Sequence, residues 1–143
     1  MKKLLIFLIS IFSIIFLANC TQPLELTEND YDSIIESIKK DSFYNHNSEE
    51  FKNDCMTFII NEKDFLITYL NPIYQENPEM MHHRAPSELK KRLGKDYATI
   101  MNDYAKKYSH YGKDTYNEKH VKNWIKFYFD ALKKTMREKE SSN

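Results

Sequence analysis

The sequence predicts an all-α domain, a small antiparallel helical bundle of about four helices. Three observations carry this expectation. Glycine occurs twice and proline four times in 143 residues, too few for the turn density of a β-protein. Lysine and glutamate are abundant and long β-branched runs are few, which favours helix. Four stretches between residues 27 and 140 place apolar side chains three and four apart, the spacing of one helical face.

The first helix is expected over 27–40. Thr27 stands at its N-cap, Asp30 holds the reciprocal position three residues on, and Tyr31, Ile34, Ile35 and Ile38 share a face. Residues 41–47, with Asn45, His46 and Asn47, read as a polar turn. A long second helix is expected over about 48–70, capped by Ser48 or Asn47, with Glu49 and Glu50 at its positive end. Phe51, Cys55, Phe58, Ile59, Phe65, Leu66, Tyr69 and Leu70 cluster on it, and Met56, Ile60 and Ile67 widen the arc, so it should be buried on more than one side. Asn71-Pro72 is expected to end it, because the residue before proline is driven out of the helical region.

Residues 72–86 carry Pro72, Pro78 and Pro86 and are the least regular stretch. The third helix is expected over about 87–111, with a stripe of Leu89, Leu93, Tyr97, Ile100, Met101, Tyr104, Tyr108 and Tyr111. Gly94 is the point at which it can split or kink, with Asp96 as a second cap, and Gly112 is its stop. The fourth helix is expected over about 116–138. Thr115-Tyr116-Asn117-Glu118 reads as a capping box. Val121, Trp124, Ile125, Phe127, Tyr128, Phe129, Ala131, Leu132 and Met136 cover roughly 200° of its circumference. The helical domain so defined runs over 27–140.

The first nineteen residues have the three parts of an export signal. Lys2 and Lys3 precede an apolar run, Leu4 to Leu17, broken only by Ser10 and Ser13, and Ala18 and Asn19 follow. The run is shorter than the ~20 residues that span a bilayer as a helix. Leu17-Ala18-Asn19-Cys20 resembles the lipobox of bacterial lipoproteins, in which a small residue precedes an invariant cysteine. The resemblance covers residues 1–20 only. It implies that residues 1–19 are a cleaved signal peptide, that Cys20 becomes the mature N-terminus with a covalent lipid on its sulfur, and that residues 20–26 are a short tether. Each buried CH₂ of such a lipid contributes ~0.8 kcal/mol, so several acyl chains make a durable membrane anchor in the cell envelope. Thr21 follows Cys20 where an Asp tends to hold lipoproteins at the inner membrane. In a double-membrane bacterium an outer-membrane destination is therefore favoured.

Without its first nineteen residues the 143-residue chain keeps 124, one domain of ordinary size. The full chain balances 21 basic against 21 acidic residues, and losing Lys2 and Lys3 leaves two acids in excess. Bases and acids are interleaved, so nucleic acid is not an expected partner. Cys55 remains the one thiol after lipidation, no CxxC or zinc-type spacing exists, and its place on the apolar face of the second helix argues for burial. Two glycines cannot build a phosphate-binding loop, and no GxSxG elbow is present.

Four groups of residues are candidates for chemistry. Met80, Met81, His82 and His83, next to Glu79, offer thioether and imidazole ligands of the kind copper takes, against the alternative that the methionines close one end of the bundle. Glu62 and His120 both fall on apolar faces. They could form a buried polar pair, but a glutamate bonded to a tyrosine hydroxyl or a lysine at the edge of the core is the favoured outcome. The stripe tyrosines Tyr97, Tyr104, Tyr108 and Tyr111, with Tyr116, Trp124 and Tyr128, are the candidate recognition surface, since tyrosine and tryptophan are enriched in binding hot spots, although a stripe at this spacing is more often core. Cys55 lacks the electropositive neighbours that would make it reactive.

The expectation for function is a non-enzymatic, lipid-anchored protein-binding module of the cell envelope, of an assembly, adhesion, exclusion or immunity type. It needs no cofactor beyond the covalent lipid on Cys20, and its partners are the membrane and a protein. The alternative is an envelope metal- or small-ligand-binding protein that uses the Met80–His83 segment. A hydrolase is the third reading, without a visible nucleophile–base spacing to support it.

Overall fold

The computed structural model describes residues 25–76, 84–109 and 117–142, and all regular structure among them is helical. Seven helices follow in order: α1 Glu28–Lys39, α2 Ser42–Asn45, α3 Glu49–Asn61, α4 Lys63–Glu76, α5 Ala85–Leu93, α6 Asp96–Lys107 and α7 Glu118–Ser141. The expectation of about four helices is corrected to seven among the described residues. Two expected helices are each split in two, and the expected turn at 41–47 holds a short helix of its own.

The first helix forms as the sequence predicts. The Thr27 hydroxyl accepts from the Asp30 backbone N–H, and the Asp30 carboxylate accepts from the Thr27 N–H at 2.8 Å. Two of the orphan donors at the helix start are thereby satisfied. Ser48 rather than Asn47 caps α3.

The expected second helix breaks at Glu62, whose backbone (φ −105°, ψ 25°) leaves the helical region. No glycine or proline marks the place in the sequence. The break lets α3 bury Phe51, Cys55, Phe58 and Ile59 while α4 buries Leu66, Leu70, Ile73 and Tyr74 along a new direction. One straight helix could not bury so wide an arc against a single neighbour. Pro72 does not end α4, which continues to Glu76. A proline inside a helix costs ~3 kcal/mol, and the almost complete burial of Ile73 and Tyr74 just beyond it offsets that cost.

The third expected helix splits at Gly94, as its composition allows. Gly94 has φ +57°, a conformation that side-chain-bearing residues rarely adopt, and its N–H closes α5 on the Lys90 carbonyl. Asp96 is not a cap; Lys95 holds the cap position without a side-chain bond, and Asp96 serves the first turn of α6 as a charge on the positive helix end. Of the box expected at 115–118, only Asn117 and Glu118 are among the described residues, and Asn117 makes no side-chain cap bond. Glu118 is the first helical residue, with Asn117 at the N-cap, and Thr115 lies outside the described residues.

Helix α7 organises the rest. It packs on α1, α3, α4, α5 and α6, most extensively on α1. All nine apolar residues that the sequence assigns to its wide arc are buried, and Thr135 joins them. Helix α1 runs antiparallel to it, with Asp30 against Lys139 at one end and Ile38 beside Phe127 and Ala131 further along. Trp124 sits among Phe51, Phe58 and Tyr108, with ring centroids 5.5–5.8 Å apart. No helix among the described residues is long and apolar enough to cross a membrane.

Trp124→Ala should therefore lower unfolding stability by about 3–5 kcal/mol in denaturant titration. Tyr128→Phe gives the opposite test. The Tyr128 hydroxyl is fully buried and finds no hydrogen-bond partner among the described residues. Removing it should leave stability within about 0.5 kcal/mol of the wild type or raise it.

Candidate functional site

The chain between α1 and α3 builds the most exposed aromatic feature of the described surface. Asp41 caps α2 by accepting the Tyr44 N–H at 2.8 Å. The Asn45 side chain donates to the Lys39 carbonyl at 2.9 Å, and that of Asn47 to the Phe43 carbonyl at 2.7 Å. These local bonds fix a turn that four helical residues alone could not hold. Tyr44 plugs inward, edge-on to Phe127 at 6.1 Å, and its hydroxyl donates to the Lys52 carbonyl. Burial, with the nearby Cys55 and Glu49, pushes its phenol up to about 12.

With Tyr44 turned in, its neighbour Phe43 is turned out. Phe43 is 61% exposed and covers Phe127 at 5.9 Å. Beside this pair lies an open groove of about 360 Å³ between α1, the α1–α2 turn and α7. Ile38, Phe127 and Ala131 make its apolar floor, and Lys40, Asp41, Asp130 and Lys134 bring charges of both signs to its lining. Sequence reasoning missed this feature because the stretch was read as a polar turn. The signal was present: two adjacent aromatic residues, Phe43 and Tyr44, stand in an otherwise polar segment, and only one of two neighbours can face the core. Among the described residues, Ile60, 56% exposed on α3, is the other large apolar side chain open to solvent.

The tyrosine stripe is placed differently. Tyr97 and Tyr108 are buried, and Tyr104 is half-buried against Phe58 and Phe65 at 5.4 and 5.1 Å. These rings pack the α6 face onto α3, α4 and α7. Tyr111 and Tyr116 lie outside the described residues, as do Met80, Met81, His82 and His83, and Cys20. Among the described residues no three His, Cys, Asp or Glu side chains gather as a metal site would require.

Glu62 and His120 do not meet. Glu62, at the α3–α4 break, takes the ammonium of Lys107 at 2.5 Å and the hydroxyl of Tyr108 at 3.1 Å. This is the favoured expectation, a carboxylate satisfied by a lysine and a phenol at the edge of the core. Burial raises the Tyr104 and Tyr108 phenols, and the Glu62 charge adds to the effect in both. His120 stacks edge-on to Phe51 at 5.3 Å. Burial lowers its pKa below the ordinary 6.5, Lys119 adds to the lowering and Asp54 opposes it. A second, smaller groove of about 280 Å³ runs between α5, α6 and the start of α7, where Lys90, Tyr97, Glu118 and Lys122 line it. Glu62, His120 and Cys55 line neither groove. The Cys55 thiol is wholly buried and burial alone pushes it up, which suits a small core residue.

Two outcomes follow from these placements. The folded state disfavours His120 protonation, so the unfolded chain binds more protons just below pH 6.5 and stability falls as pH drops from 6.5 toward the lowered folded value. His120→Gln should flatten that part of a stability-versus-pH curve. Cys55 should resist iodoacetamide in the native protein and react once denaturant is added; modification at similar rates in both states would contradict its burial.

No protein-family model, no curated protein and no solved structure matches the chain.

Proposed function

We propose that this protein is a lipid-anchored, non-enzymatic binding module of the bacterial cell envelope, a small helical bundle held at the membrane by Cys20 and presenting the Phe43 groove to a protein partner. The observation that carries the binding half is Phe43. Phe43 is 61% exposed beyond its contact with Phe127, and it flanks a concave site lined by that same Phe127 and by its neighbour Ser42, where an aromatic side chain can serve as a binding hot spot. The local bonds of the 41–47 turn hold the ring in place before any partner arrives, which lowers the ordering cost of binding. Lysines and aspartates around an apolar floor suit a partner that offers one apolar side chain flanked by charges. The lipobox resemblance of residues 17–20 supports the anchor, and Thr21 favours the outer membrane in a double-membrane cell. The tyrosines of α6 serve this reading as the packing that holds the bundle, not as its recognition surface.

The test is made on the full-length chain in cells of its source. Cys20→Ser should move the protein from the membrane fraction to the soluble fraction; retention in the membrane would rule out the lipid anchor. Chemical cross-linking and affinity capture should recover one partner in near-stoichiometric amount from the wild type. Phe43→Ser, at an exposed position, should leave the helical circular dichroism spectrum unchanged and reduce that recovery about tenfold, the effect of losing ~1.4 kcal/mol at a hot spot. Undiminished capture by Phe43→Ser would remove the groove from the binding surface.

A further inference from the structure

The point at which the chain enters the domain is fixed by three contacts. Leu26 packs against the core, Thr27 and Asp30 close the cap of α1, and the Lys139 ammonium donates to the Glu25 carbonyl at 3.0 Å. The same ammonium pairs with the Asp30 carboxylate at 2.7 Å, and both side chains are largely shielded from solvent. Burial works against ionisation of Asp30, yet the bonds from Lys139 and Thr27 outweigh it and hold the carboxyl below its usual range. The entry point is therefore stapled to the C-terminal end of α7.

Five residue steps separate Cys20 from Glu25, a reach of at most about 17 Å for a fully extended chain. Helix α7, with its 24 residues, is about 36 Å long. The tether can thus reach at most about half the length of the helix to whose end it leads. Resting on the lipid-anchor reading of Cys20, we propose that the end of the domain formed by the start of α1 and the C-terminus of α7 is its bilayer-facing surface, apposed to the phospholipid headgroups. Phe127 lies twelve residues from Lys139, so the Phe43 groove stands about 18 Å from this end along the axis of α7. The start of α7 stands furthest out.

The charges of this end agree with apposition by the tether rather than adhesion. Glu25, Glu28, Glu138 and Glu140 are exposed there, against Arg137, Lys139 and Lys63, with Lys63 paired to Glu28 and Lys139 to Asp30. Such an end gains nothing from anionic lipid, so the distance is set by the chain and not by electrostatic attraction.

Energy transfer in vesicles tests the arrangement. The full-length protein, purified from membranes, is reconstituted into phosphatidylcholine vesicles doped with a headgroup-labelled acceptor lipid. A donor dye is attached after reconstitution to Glu138→Cys or to Lys119→Cys, so that only outward-facing molecules report. Both positions are exposed, and the buried Cys55 stays unlabelled. Mass spectrometry of the same preparation reads the acylation of Cys20. With Cys20 acylated, transfer from position 138 should exceed that from position 119 at least twofold. Equal transfer from both sites, or stronger transfer from position 119, on an acylated protein would overturn the orientation and leave the anchor standing. A protein without acyl chains on Cys20 would overturn both.

Discussion

Water cannot cover a helix that is apolar over more than half its circumference, and the fold of this protein follows from that constraint on α7. Ten of its residues are buried, from Val121 to Met136, and they point in several directions around the axis. No single neighbour can shield such a surface, so α1, α3, α4, α5 and α6 each take a part of it. The two breaks in the expected helices belong to the same solution. A single straight rod touches α7 once, whereas two segments joined at Glu62, or at Gly94, touch it along two directions.

Polar groups are then placed where these directions change. The break at Glu62 leaves a carboxylate near the core, and Lys107 and Tyr108 from α6 satisfy it. The end of α3 leaves unpaired carbonyls, and the Tyr31 hydroxyl of α1 donates to that of Ile59. Pairs such as Lys63 with Glu28 and Arg92 with Glu76 lie further out, where water screens them and each contributes little. Specific polar contacts thus set the angles between helices, and burial supplies most of the stability.

The sequence was most legible where a local signal and a periodic one coincide. Thr27 with Asp30 placed the start of α1, and the wide arc of α7 was read residue by residue. Glu62 was legible as a carboxylate on an apolar face, and its lysine and phenol partners match the kind expected. The break beside it was not legible, because Asn61, Glu62 and Lys63 carry no breaking residue and the cause is the shape of α7, distant in the chain. Pro72 misled for the same reason: its cost is local, while the burial of Ile73 and Tyr74 that offsets it is tertiary. The α6 tyrosines could be read as face or as core from spacing alone, and only the packing of Tyr97 and Tyr108 distinguishes the two. Phe43 was hidden by averaging over a polar stretch.

The central place of α7 also bears on the order in which the fold can be completed. Residues 118–141 leave the ribosome after every other helix described, and the contact between Glu25 and Lys139 spans 114 residues of chain. Helices α1 to α6 pack in part on one another, α4 on α5 and Tyr104 of α6 on Phe58 and Phe65, but each of α1, α3, α4, α5 and α6 also has a face that only α7 covers, and long-range closure of this kind slows folding. At a synthesis rate of about 5–20 residues per second, the making of α7 alone takes on the order of seconds. During that interval the surface that α7 will cover, Phe51 included, lacks its partner, and the fate of such an intermediate depends on whatever shields it until the last helix is in place.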